Sequence, residues 1–124
     1  MENEIKNFYN LDAWKKSHVL CIAIYKITAN FPREENYGIT SQLRRATSSV
    51  GANIAEGFAR FHYKDKIRFY YHARGSAAES QNFLLLAKDL GYINIKDCEK
   101  LGKDLNEVSK LINGLIRSIE NNIK

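Results

Sequence analysis

The chain of 124 residues has one proline, Pro32, and only seven glycines. Sheets built from many short strands are punctuated by turns rich in both, so this scarcity, with few β-branched clusters, points to a helical protein. Cysteine is as sparse. Cys21 and Cys98 stand apart in no metal-ligand spacing, and the opening Met1-Glu-Asn-Glu4 has neither the basic nor the apolar segment of an export or organellar address. Both thiols are therefore expected to be reduced, in a cytoplasmic protein without a disulfide. Long apolar runs are missing too. The longest, Val19 to Tyr25, falls well short of the ~18 residues a membrane span needs. A chain of this length is expected to form one domain, residues 1–124, with a core of its own.

The spacings that carry chemistry are also missing. His18, His62 and His72 share no i,i+4 relation, which argues against a zinc site. Ala59 follows Glu56 at the third position and Asn82 follows Glu79, so the Glu-x-x-His pair of a di-iron bundle does not occur. Ser76, in Gly75-Ser-Ala-Ala-Glu79, falls inside a helical pattern and not on a strand-to-helix elbow. No glycine-rich loop resembles a phosphate cradle. The expectation is a protein that is not an enzyme, with no cofactor and no metal.

What the chain does have is helical periodicity. Leu11, Trp14, His18, Ile22, Tyr25 and Ala29 form a stripe beside Cys21 and Thr28, predicting a first helix over about 11–30, ended by Phe31-Pro32. On this stripe His18 reads as a core histidine. Ile39, Leu43, Ala46, Val50, Ile54 and Gly57 define a second helix, about 39–60. The residues around its stripe are small, and its two interior glycines cost roughly 1 kcal/mol each against alanine, a loss that close approach of neighbouring helices would offset. A third helix, about 64–90, carries apolar residues on several faces and is closed by Gly91. Asn94-Ile-Lys-Asp97 has the spacing of a capping box for a fourth, about 95–120. There Leu101, Leu105, Val108, Ile112, Leu115 and Ile119 repeat as a heptad seam, and Asn121 to Lys124 should fray.

These features predict an all-α, antiparallel up-down four-helix bundle. The second and third helices have more apolar surface than one small bundle can bury, and self-association is the natural outlet. Asn53, Glu56 and Glu79 read as groups in a packed polar layer, because buried polar groups need partners. Arg44 and Arg45 either join that layer by pairing with Glu56 or Glu79, or meet an anion.

The net charge is +5, which suits an anionic partner. The densest basic stretch is Arg60-Phe-His-Tyr-Lys-Asp-Lys-Ile-Arg-Phe-Tyr-Tyr-His-Ala-Arg74, where positive groups alternate with rings. Basic residues can hold phosphates while rings stack on unpaired bases. The candidate nucleic-acid contacts are Arg60, Lys64, Lys66, Arg68 and Arg74, with Arg44 and Arg45. The same stretch also reads as a solvated helix face whose rings serve the core or an interface with another protein.

Gln42-Leu-Arg-Arg45, Ser49, Asn53-Ile-Ala-Glu-Gly57, Gly75-Ser76 with Glu79, and Leu86-Ala-x-x-Leu-Gly-Tyr-Ile93 together resemble the small bundle proteins encoded in intervening sequences of bacterial 23S rRNA genes. The opening Leu11-x-Ala-Trp-Lys is similar as well, so the resemblance spans nearly the whole chain. That family includes proteins similar to the accessory variability protein of diversity-generating retroelements. The resemblance implies a ring-like homopentamer with a basic surface that binds nucleic acid, RNA above all, in association with a reverse transcriptase in the retroelement branch. Asn53, Glu56, Gly57, Gly75, Ser76 and Glu79 match the family motif, and the resemblance implies a structural or inter-subunit role for them. Tyr63 stands where relatives often open the third helix with serine or threonine, so the cap there departs from the pattern.

Overall fold

In the computed structural model, which describes residues 5–123, four helices pack as an all-α bundle. They are α1 (Asp12–Thr28), α2 (Ile39–Ala59), α3 (Tyr63–Asp89) and α4 (Ile95–Ile123). The acidic Met1–Glu4 start and Lys124 lie outside the described residues. The fraying expected from Asn121 is not seen before that point. α4 stays helical through Ile123, and Asn122 Nδ2 donates to the Ser118 carbonyl at 2.8 Å.

The α4 seam buries Cys98, Leu101, Leu105, Val108 and Ile112, but then Ile116 takes the core position, with Leu115 and Ile119 partly covered. A straight helix of 3.6 residues per turn drifts ~20° per heptad from a 3.5 repeat. By the third repeat the buried line has moved over by one residue.

The first helix needs the largest correction. Its core face is Ala13, Ser17, Leu20, Ile24 and Thr28. His18, Ile22, Tyr25 and Ala29 are exposed, and Leu11 and Trp14 are half-buried. Both lines have helical spacing, and the bulkier one was the wrong one to read as core. Small residues face inward because α2 comes close. A Cβ added at Gly51 would lie 3.3 Å from Ser17 Oγ and 3.4 Å from Trp14 Nε1. His18 is thus no core histidine; its ring stacks on Trp14 with centroids 4.5 Å apart.

Along α2 the buried residues include Ile39, Leu43, Ala46, Val50, Ile54 and Gly57. Gly57 is where the fold tolerates no side chain. A Cβ there would meet Tyr70 ring carbons at 2.6 and 2.8 Å and the Lys66 carbonyl at 3.2 Å. Close approach by α1 at Gly51 and α3 at Gly57 offsets the glycine cost.

The buried polar groups differ from those expected. They are hydroxyls: Ser17, Thr28, Thr40, Thr47 and Ser80. Thr47 Oγ1 donates to Ser80 Oγ across the α2–α3 contact at 3.2 Å, and Ser80 Oγ donates to the Ser76 carbonyl at 2.9 Å. Asn53 bonds back within α2, donating to the Ser49 carbonyl at 2.8 Å. Glu56 and Glu79 are exposed on this chain. Ser17, Thr28 and Ser80 each donate to a carbonyl of their own helix, which lets them be buried without a charged layer. Thr40 Oγ1, by contrast, has no partner among the described residues.

The apolar surplus is where expected on α3 but not on α2. α2 exposes no large apolar side chain, whereas α1 exposes Val19, Ile22 and Tyr25 and α3 exposes Tyr63, Tyr71, Leu85 and Leu86. Of the helix pairs that pack side by side, α1 and α4 meet least closely. Lys16 and Glu107 pair across their groove, which raises the Lys16 pKa and lowers that of Glu107.

Two short corners bracket α3. At its C-terminus Gly91 adopts φ 82°. Its N–H donates to the Lys88 carbonyl at 3.0 Å, and the Tyr92 N–H donates to the Ala87 carbonyl at 2.9 Å. This is a Schellman closure. Asn94 Oδ1 then accepts the Asp97 N–H at 2.7 Å to cap α4. At the N-terminus, His62 occupies the cap position without a side-chain bond, and its carbonyl accepts the Asp65 and Lys66 N–H groups. The connection from α2 is three residues, Arg60 to His62.

Candidate nucleic-acid interface

The Arg60–His62 corner is built by long-range contacts. α2 ends with unsatisfied carbonyls and the negative end of its dipole. Lys66, in the first turns of α3, points its ammonium there, donating to the Phe58 carbonyl at 2.7 Å and the Gly57 carbonyl at 3.3 Å. Burial lowers its pKa, as expected for a charge taken from water. Lys66 therefore joins two helices and is not presented to solvent with its neighbours.

Around this joint lies a patch of cations and rings. The Arg60 guanidinium is 4.6 Å from the centre of the Phe69 ring, and that of Arg68 is 4.9 Å from the same ring. Each has an acidic neighbour on its own helix. Arg60 pairs with Glu56 at 3.0 Å, and Arg68 Nη2 lies 3.8 Å from Asp65 Oδ1. Exposed pairs of this kind contribute only ~0–1 kcal/mol, so a phosphate can replace either carboxylate at small cost. Lys64, Arg68 and His72 follow at i, i+4 and i+8 on the exposed face of α3. Phe61 is 88% exposed at the head of the turn, with His62 edge-on at 5.1 Å, and Tyr63 is exposed beside it.

The other basic residues lie apart. Arg74 Nη1 donates to Asn113 Oδ1 at 3.0 Å, and its guanidinium lies 5.0 Å from the Tyr71 ring centre, toward α4. Arg44 bridges to α1, donating to Thr28 Oγ1 at 2.8 Å and the Tyr25 carbonyl at 3.2 Å. Arg45 donates to Gln42 at 2.9 Å. Within the chain, neither Arg44 nor Arg45 pairs with Glu56 or Glu79. The structure thus brings Arg60, Lys64 and Arg68 together, turns Lys66 inward, and leaves Arg44, Arg45 and Arg74 elsewhere. The reading of the sequence did not single out Phe69 as the ring shared by two guanidiniums. The i+1 spacing of Arg68 and Phe69 was visible, but the partner nine residues upstream comes from the fold.

Of the motif positions, Gly57 is buried against Tyr70, Ser76 supplies a backbone carbonyl to Ser80, and Gly75 is exposed with nothing within 4 Å of an added Cβ. Among the described residues, no three His, Cys, Asp or Glu side chains come together as metal ligands. No described helix is long and apolar enough to cross a membrane. Cys21 is half-buried and Cys98 buried, both as free thiols.

The profile of the 23S rRNA-intervening sequence proteins matches residues 9–114. The chain belongs to that family. The match takes in all of α1, α2 and α3 and most of α4, so it covers the corner and its basic patch. Among solved structures, the chain is similar to a protein of unknown function from the S23 ribosomal protein family of Bacteroides thetaiotaomicron. The two are 27% identical with a TM-score of 0.75, over 84% of this chain and 97% of that one. No curated protein matches the chain.

Proposed function

We propose that this member of the 23S rRNA-intervening sequence protein family is a non-enzymatic nucleic-acid-binding protein, with RNA as its ligand. The binding surface is the Arg60–His62 corner. The observation that carries this reading is the pairing of Arg60 and Arg68 on the Phe69 ring, beside Lys64 and exposed rings. Fixed guanidiniums in a fork geometry suit phosphate oxygens. We place the bundle in an antiparallel up-down arrangement, supported by the order of partners between α3 and α4: Gln81 with Asn106, Arg74 with Asn113 and Tyr71 with Glu120. A homopentameric ring in the cytoplasm completes the proposal, with Asn53, Glu56, Gly75, Ser76 and Glu79 at or near subunit contacts. Glu56, Gly75 and Glu79 are exposed and Ser76 is half-buried, which leaves them open to such contacts.

The test is a salt titration of binding to single-stranded RNA, structured RNA and duplex DNA. Affinity should fall linearly in log salt, by about 0.7 to 0.9 log units per log unit of salt for each neutralised phosphate. Lys64→Glu with Arg68→Glu should flatten that slope while leaving the fold intact. Absence of binding at low salt would overturn the reading.

A second reading is favoured by a different surface. Leu85, Leu86, Leu90 and Ile95 are exposed around the other end of α3. They suit a protein partner, a reverse transcriptase among them. Recovery of a stoichiometric protein partner after nuclease treatment would favour this second reading.

A further inference from the structure

Resting on the nucleic-acid reading above, we infer that the corner takes single-stranded nucleic acid, with one unpaired base stacked on Phe61 and the adjoining phosphates held by Arg60, Lys64 and Arg68. The core already has its rings: Tyr70 fills the space beside Gly57, and Phe69 is shared by the two guanidiniums. Phe61 does neither. At 88% exposure it stands out from a three-residue connection, and its one ring neighbour among the described residues is His62, itself exposed. Tight helical corners use small or polar residues, so a phenylalanine here adds nothing local to the turn. Its position does suit a base. Arg60 is its chain neighbour, and Lys64 follows three residues later, so positive charge flanks the ring on both sides along the chain. A duplex keeps its bases stacked on one another and offers this ring no free base face. A single strand offers one at every nucleotide, without regard to sequence.

The rival use for such a ring is contact with a second protein surface. Charge separates the two. Arg60, Lys64 and Arg68 against Glu56 and the half-buried Asp65 leave the immediate surroundings of Phe61 positive by one charge, which complements a phosphate backbone.

The experiment measures affinity at one low salt concentration for a single-stranded oligonucleotide and for the same sequence as a duplex. The proteins are the wild type, Phe61→Ala, Phe61→Trp and Lys64→Glu with Arg68→Glu, with the solution mass of each recorded. Phe61→Ala should lower single-strand affinity roughly tenfold or more, the scale of a lost base–aromatic stack, and leave duplex affinity unchanged. Phe61→Trp should keep single-strand affinity. If Phe61→Ala binds as wild type while the charge variant does not, the inference falls and the broader nucleic-acid reading stands. If the wild type binds neither ligand, both fall. If Phe61→Ala changes the solution mass and weakens both ligands together, the ring serves assembly and the inference is overturned.

Discussion

The two corners at the ends of α3 do the same mechanical job by opposite means. The Leu90–Asn94 corner is closed locally, by the left-handed Gly91, the Schellman bonds and the Asn94 cap. The Arg60–His62 corner has no side-chain cap and no glycine of its own, and is held by Lys66 on the α2 carbonyls and Tyr70 against Gly57. A corner closed by its own residues can be surrounded by whatever the surface needs. One closed from a distance frees its own residues, and here those are Arg60, Phe61 and His62. The charge and rings at this corner are therefore free to serve the ligand proposed above, because the turn does not depend on them.

Substitutions can break this comparison, beginning with the largest effect. Gly57→Ala drives a methyl into the Tyr70 ring, and overpacking of this kind costs about 1–3 kcal/mol. We expect the upper end, read as a fall in the denaturant midpoint. Because the clashing atoms are ring carbons, Tyr70→Phe should not restore it. Lys66→Met should cost about 1–2 kcal/mol through loss of charged bonds to the α2 terminus, while Lys64→Met should change stability by less than about 0.5 kcal/mol. Equal effects from the two lysines would remove the distinction between holding the corner and decorating it.

At the other corner, Gly91→Ala forces an alanine into the left-handed region, for about 1 kcal/mol, with no change in nucleic-acid affinity. The one substitution expected to stabilise is at the exposed midpoint of α3. Gly75→Ala meets nothing within the chain and should raise chemical stability by up to ~1 kcal/mol. A loss of stability together with a lower solution mass would show instead that another subunit covers this position.

Much of the fold was legible because it is written in local signals. Pro32, Gly91 and Asn94 mark three helix ends, and the Leu101–Ile112 seam marks a buried face. The face of α1 was not legible in the same way. Ala13 and Ser17 bury better than Trp14 and His18 only because Gly51 brings α2 close, and proximity is a property of the pair. The buried hydroxyls were not legible for a related reason. Thr47 and Ser80 are inconspicuous in sequence, while Asn53, Glu56 and Glu79 look as though they need partners. Of the candidate site, the stretch was legible and the grouping was not. Lys66 reads like its neighbours until its side chain is seen to cross to α2.

Trp14, the chain's single tryptophan, lies where Phe8 meets it edge-on at 5.4 Å, His18 stacks upon it and Gly51 passes beneath. Its emission will therefore follow the seating of α1 on α2. The protein carries its own optical gauge for that one contact, so the docking of α1 can be watched without a label.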